Sequence, residues 1–440
     1  MAATHPKTIS AAEAAALVRP GDWVDYGGNV SQPELFDRAL AARAGELRDV
    51  KVRSCLTLRP HAIVEADPEG ERFQLYSWHF SPYDRKLADA GRTHYIPMNF
   101  GEAPDYYRRF IDPPDVVAVK ACPMDEHGYF NFSASVTYAK ALTERAKLLI
   151  VETSPQLPYV YGGEASVHAS EVDFIVEGLD QPPPAIANPE PTPVDRKVAS
   201  LIAAEIEDGA CLQIGIGGMP NAVCSALRDA GHRDLGIHTE MFVDGMIDLV
   251  ESGIVTGARK TLNRFESVFT FALGSERLYR FIHRNPHTKS YAVDYTNLPE
   301  QIARNDRVIA INNTTQIDLQ GQAASESDGH RHLTGTGGQL QFMRGAYASK
   351  GGKSFLCLSS LYERHGVRKS RIVSTLTPGN IVTTPRTDVM YVVTEYGMVN
   401  LKGRSVPERA KALIGIAHPD SREGLAREAR ALNLVPRGYL

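Results

Sequence analysis

The chain of 440 residues carries the same ordered run of strand and turn segments twice. Gly21-Asp-Trp-Val-Asp-Tyr-Gly27 reads as a strand meeting a turn, after which Pro33 opens a helix through Leu40. Gly209-Ala-Cys-Leu-Gln-Ile-Gly215 does the same, with Pro220 opening a helix through Leu227. Next come the apolar runs Asp115-Val-Val-Ala-Val and Asp306-Arg-Val-Ile-Ala-Ile, which lead to Asp125-Glu-His-Gly128 and Asp318-Leu-Gln-Gly321. Lys147-Leu-Leu-Ile-Val-Glu then matches Lys353-Ser-Phe-Leu-Cys-Leu, and Asp173-Phe-Ile-Val-Glu-Gly178 matches the run from Asp388 to Gly397. One such match is the common grammar of buried strands; four in one order point to an internal duplication. Between the copies lies Gln181–Pro193, with six prolines in 13 residues, a composition that excludes a helix interior or a central strand. The short β-branched strands alternate with helical stretches such as Val194–Glu207 and Asn221–Ala230, which predicts mainly parallel sheets covered by helices. The expected fold is α/β. Two similar open domains, 1–181 and 194–440, are joined by a linker at 182–193, with the active site in a crevice between them, beyond the carboxyl ends of the strands.

Composition narrows the function. Hydrophobic residues at 43% and charged residues at 23% suit a globular chain. Forty-eight Lys and Arg against 52 Asp and Glu leave a net charge of −4, no footprint for a nucleic-acid or anionic-membrane partner. Five cysteines without a CxxC pair argue against a disulfide framework or a structural zinc. No run approaches the ~18 apolar residues of a membrane span. Met1–Ala16 lacks the apolar core of a signal peptide, so a cytoplasmic location is expected.

Several motifs fail on spacing. Gly351-Gly352-Lys353-Ser354 would be a P-loop only with glycine at Tyr347. Neither G-x-S-x-G nor H-E-x-x-H occurs. His330 and His332 on a polar loop read as solvated residues, so no metal is expected. Gly215-Ile216-Gly217-Gly218-Met219-Pro220-Asn221 follows a strand and precedes a helix. It fits either an ordinary tight turn or a loop whose N–H groups approach a ligand, and Pro220 breaks the dinucleotide fingerprint. In Leu235-Gly-Ile-His-Thr-Glu240-Met, a short strand is expected to end at Glu240, with Asp244 capping a helix to about Glu251 and Gly253 stopping it. A carboxylate there suits a ligand held by the glycine loop, or else a helix-entry salt bridge. A second glycine loop, Thr334-Gly335-Thr-Gly337-Gly338-Gln339, offers backbone N–H groups for an oxyanion. Glu240 with two glycine loops suggests acyl transfer through a carboxylate nucleophile.

His-Thr-Glu-Met with Asp244-Gly-Met-Ile-Asp-Leu-Val, Gly-Ile-Gly-Gly-Met-Pro-Asn-Ala, Gly-Thr-Gly-Gly-Gln and Val393-Thr-Glu-Tyr-Gly397-Met-Val-Asn-Leu401-Lys-Gly together resemble the acetyl-CoA hydrolase/transferase family, nearest its 4-hydroxybutyrate and butyrate CoA-transferases. Lys411-Ala-Leu-Ile-Gly-Ile-Ala-His418-Pro-Asp fits too. The resemblance covers nearly the whole chain and implies two similar α/β domains and a ping-pong CoA transfer from an acyl-CoA to a short carboxylic acid. Glu240 would be the nucleophile and would carry a glutamyl-CoA thioester. CoA enters as substrate, with no metal or redox cofactor. The resemblance places CoA on Gly215, Ile216, Gly217, Gly218 and Met219, pairs it with Lys353, and puts the oxyanion donors on Gly335, Gly337 and Gly338. It also implies a homo-oligomer.

Two other functions compete: an acyl-CoA hydrolase opening the same intermediate with water, and a non-catalytic CoA or sugar-phosphate sensor, since fold alone does not fix function. Acceptor choice is expected to rest on the turn matching the CoA loop, where Asn29, Ser31 and Gln32 offer polar groups to the acyl chain; Ser31 could instead cap the helix at Pro33.

Overall fold

The computed structural model describes residues 6–187, 189–364 and 366–439. The chain forms two compact units. The first comprises 1–187 with 268–296, the second 188–267 with 297–440. The expected division is therefore interrupted by one segment. Residues 268–296 join the first unit because their backbone is hydrogen-bonded into it: Ala272 N–H donates to Ala134 O at 2.9 Å, Ser290 N–H to Tyr161 O at 2.8 Å and Val293 N–H to Thr137 O at 2.8 Å. A strand signal such as Ser267–Phe269 does not reveal which sheet system it will serve.

The first unit is built on eight parallel strands. Their spatial order is Lys7–Thr8, Phe174–Glu177, Leu149–Thr153, Val116–Ala121, Trp23–Gly28, Val50–Cys55, Phe73–Ser77 and Thr93–Tyr95. The second unit has six strands, in the order Gly236–Ile237, Cys211–Ile214, Val308–Asn313, Lys353–Cys357, Tyr391–Thr394 and Gly397–Asn400, all parallel except the last. The four strand pairs matched in sequence occupy the same relative positions in the two sheets. Even the turns agree. Asp125 Oδ1 accepts from the N–H groups of His127 and Tyr129, both at 2.9 Å, and Asp318 Oδ1 accepts from Gln320 and Gln322 at 3.0 and 2.9 Å.

Strands buried on both faces must be covered, and helices supply the cover. In the first unit Val24, Val52, Val116 and Ile150 pack with Phe36 and Leu40 of the helix Glu34–Ala41 and with Ala14 and Ala15. In the second, Leu356 and Val392 pack with Leu413 and Ile414 of Val406–Ile416. Each fully buried Phe or Leu in these layers contributes roughly 2 kcal/mol of transfer free energy. The Pro-rich segment has no regular element among its described residues, and it ends at Thr192, whose hydroxyl caps the helix Pro193–Ala203. No helix of the described residues is long and apolar enough to cross a membrane.

Candidate active site

The carboxyl edge of the second sheet gathers the motifs. Cys211–Ile214 runs out into Gly215, and the helix Gly218–Ala230 begins three residues later. The parallel strand on its outer side spans just Gly236–Ile237, so that strand stops three residues before Glu240 rather than at it. The chain then passes through buried His238 and Thr239 to Glu240, pairs again at Met241–Phe242, and enters the helix Asp244–Glu251. Asp244 is the first residue of that helix and not its cap; Val243 occupies the cap position without a side-chain hydrogen bond. Gly253 follows the helix, as its stop signal implies.

Glu240 is half-buried and held from two directions. Asn297 Nδ2 donates to Glu240 Oε2 at 2.6 Å, and the N–H of Gly338 also donates to the carboxylate. Gly338 stands at the amino end of the helix Gln339–Ala348, where the backbone dipole favours negative charge. A Cβ at residue 338 would lie 2.2 Å from Glu240 Oε2 and 2.3 Å from Asn297 Nδ2, so only glycine lets these three groups meet. The loop is anchored from beneath by Glu326, whose carboxylate accepts from Thr336 Oγ1 at 3.0 Å and Thr383 Oγ1 at 2.9 Å.

Burial pushes the Glu240 carboxyl up to about 7, against the opposing pull of the Asn297 and Gly338 hydrogen bonds. A carboxylate with a raised folded-state value favours folding while protonated, and that contribution is lost as pH rises from 4.5 through about 7. Replacing Glu240 with Gln, a mimic of the protonated acid, should therefore stabilise the protein more at pH 8 than at pH 5. The expected gain is on the order of 2 kcal/mol, moderated by the solvent that reaches the carboxylate. Thermal melts of both proteins at the two pH values measure it, and an equal difference at both would contradict the assignment.

Sequence profiles of the acetyl-CoA hydrolase/transferase N-terminal and C-terminal domains match residues 3–187 and 274–429. The chain belongs to the acetyl-CoA hydrolase/transferase family. Within that family it is 45% identical over 429 residues to a butyryl-CoA:acetate CoA-transferase of Anaerostipes caccae, covering 96% of each chain. Among solved structures it resembles RipA from Yersinia pestis, with a TM-score of 0.90, 38% identity and 98% of each chain covered. A 4-hydroxybutyrate CoA-transferase from Porphyromonas gingivalis gives a TM-score of 0.79 at 34% identity, covering 97% of this chain and 98% of that one.

Of the family positions carried over from sequence, Glu240 and Gly338 meet directly, with Gly335 and Gly337 just ahead of Gly338 in the same loop. Gly215, Ile216, Gly217, Gly218 and Met219 lie at the carboxyl end of the strand beside Gly236–Ile237; Ile216 is exposed there and Met219 is buried. Lys353 is the exception. It opens the strand Lys353–Cys357, at the amino end of the parallel sheet, and its ammonium is committed to Glu205, 2.8 Å from Oε2 and 2.9 Å from the carbonyl oxygen. Ligands of such sheets bind at the opposite edge, so the expected pairing of Lys353 with CoA draws no support from this position.

Asn297 is the partner that sequence reasoning passed over. It is fully buried, and its only local signal is an amide two residues before Pro299, which opens the short helix Pro299–Ile302. In the first unit, Asn29, Ser31 and Gln32 lie on or beside the 3-10 turn Asn29–Ser31 and are buried. Asn29 Nδ2 donates to Ser135 Oγ at 3.3 Å, while Asn29 Oδ1 and Gln32 Nε2 have no hydrogen-bond partner among the described residues. Ser31 does not cap the following helix. Glu152 does so, accepting from Leu35 N–H at 3.0 Å and Phe36 N–H at 3.0 Å. Among the described residues no group of three His, Cys, Asp or Glu side chains is arranged to hold a metal ion.

Proposed function

We propose that this protein is a CoA-transferase that moves CoA from an acyl-CoA to a short-chain carboxylic acid, with Glu240 as nucleophile. The observation that carries the reading is a carboxylate fixed by two neutral donors, Asn297 Nδ2 and Gly338 N–H, with no cation hydrogen-bonded to it among the described residues. Neutral donors orient the carboxylate and leave it nucleophilic, whereas an ion pair would quench it. They also remain in place when charge moves onto the carbonyl oxygen of the acylated glutamate.

The steps balance without an outside reagent. A Glu240 carboxylate oxygen attacks the thioester carbonyl, the C–S bond breaks, and CoA leaves as thiolate from an acyl-glutamyl anhydride. The thiolate attacks the glutamyl carbonyl, expelling the first acid as carboxylate and leaving a glutamyl-CoA thioester. An acceptor carboxylate attacks that thioester, and the same two steps in reverse return Glu240 and a new acyl-CoA. The glycine loop 215–219 is the proposed CoA contact, and butyrate, 4-hydroxybutyrate and acids of similar size are the proposed acceptors. Because attack needs the ionised acid, kcat/KM should fall with an acid limb near pH 7.

Hydrolysis of the same intermediate by water is the second reading. It is favoured by the 32% identity of 219 residues, 48% of this chain, to an acetyl-CoA hydrolase of Saccharomyces cerevisiae. Incubation with acyl-CoA alone, followed by addition of a second acid, separates the two. Transfer predicts that exchange upon adding the acid outpaces release of free thiol; thiol release unaffected by the acid would establish the hydrolase.

A further inference from the structure

The strand leading to Glu240 lies at the end of its sheet. In the first unit the strand in the equivalent place, Val50–Cys55, is paired on its outer side with Phe73–Ser77. In the second unit Gly236–Ile237 closes the sheet. Its inner side is satisfied: Gly236 N–H donates to Ala210 O at 2.8 Å and His238 N–H to Leu212 O at 3.0 Å. By the alternation of a parallel ladder, the carbonyl groups of Leu235 and Ile237 face outward. Gly257 N–H donates to Leu235 O at 2.9 Å. At Ile237 that neighbouring segment has turned away, and a side chain takes over: Lys260 Nζ donates to Ile237 O at 2.9 Å and to Glu266 O at 2.7 Å.

Lys260 is 4% exposed. A buried ammonium is costly to place, and desolvation holds its pKa below the ordinary lysine value. Such a group persists where its hydrogen bonds determine something. The backbone is shaped to admit it: a Cβ on Gly236 would lie 2.4 Å from Lys260 Cγ and 2.7 Å from Cδ, so the lysine stem crosses the strand where no side chain stands.

We propose that Lys260 is a positioning residue for the transfer reaction, pinning the end of the edge strand Gly236–Ile237 and thereby the departure of the His238-Thr239-Glu240 segment. This rests on the reading of Glu240 as nucleophile. Without the ammonium, Ile237 O loses its donor at the edge and the three residues that carry the carboxylate lose their fixed origin. Misplacement of a reacting group by about 1 Å costs on the order of 100-fold in rate.

The test compares wild type, Glu240→Ala, Lys260→Met and Gly236→Ala in steady-state exchange across pH, with thermal melts of each. Lys260→Met keeps the stem and removes the donors. It should lower kcat by about 10- to 100-fold while KM for acyl-CoA changes less than about threefold. Its acid limb should move to higher pH, because a displaced Glu240 loses the two hydrogen bonds that favour its charged form. Gly236→Ala pushes the lysine stem aside by a different route and should reproduce both effects, which keeps the test decisive if Lys260→Met does not fold. A purely structural lysine would lower the melting temperature yet leave kcat and the acid limb of the folded enzyme unchanged, and that result overturns the inference. If Glu240→Ala itself retains activity, the failure belongs to the nucleophile assignment instead.

Discussion

Glu240→Ala is expected to abolish CoA exchange, with kcat reduced by ~10⁴-fold or more, while CoA affinity changes little. In the proposed mechanism the carboxylate is consumed and regenerated in each cycle, so no neighbouring group substitutes for it. The proposed CoA contacts lie on a different loop, at Gly215–Met219, which the substitution does not touch. Exchange kinetics with calorimetric titration of CoA separate the two quantities. Loss of binding in parallel with loss of rate would recast Glu240 as a binding group, and wild-type turnover would remove it from the mechanism.

The second large effect is expected at Gly338, where alanine should reduce kcat by about 100- to 1,000-fold. The added methyl would meet Glu240 Oε2 at 2.2 Å and Asn297 Nδ2 at 2.3 Å, closer than real Cβ contacts occur. Either the carboxylate swings away or the loop retreats, and in both cases the N–H donor separates from Glu240. Loss of one such donor alone costs an enzyme about 3 kcal/mol in the transition state. Exchange rates for Gly338→Ala, read beside its melting temperature, check this. A folded variant within about threefold of wild type would show that the loop does not act on Glu240.

Much of this was legible from residues alone because buried parallel strands leave a strong apolar signal and the chain writes it twice. The repeats of Trp23–Gly28, Val116–Ala121, Leu149–Thr153 and Phe174–Glu177 in the second half predicted two similar α/β halves, and the matched strands share one spatial order. Glu240 and the Gly335–Gly338 loop were legible for a related reason: glycines at a fixed spacing ahead of a helix mark a close backbone approach, here to the carboxylate itself. What escaped were long-range partners. Asn297 lies 57 residues from Glu240, and nothing in its neighbours records the hydrogen bond. Lys353 is a different case. Its pairing with CoA was implied by the family resemblance alone, and strand polarity puts it at the amino end of the sheet, beside Glu205. Residues 268–296 escaped because sequence order does not dictate which sheet system a short strand joins.

The central claim is that CoA becomes covalently attached to Glu240 during turnover, and it can be tested by trapping. Incubating the protein with acyl-CoA, reducing with borohydride and mapping peptides by mass spectrometry should give inactive protein in which Glu240 alone has been reduced from acid to alcohol. Protein treated with borohydride without acyl-CoA should stay active and unmodified. Full activity after the complete treatment, or a modification located on any residue other than Glu240, would contradict the account.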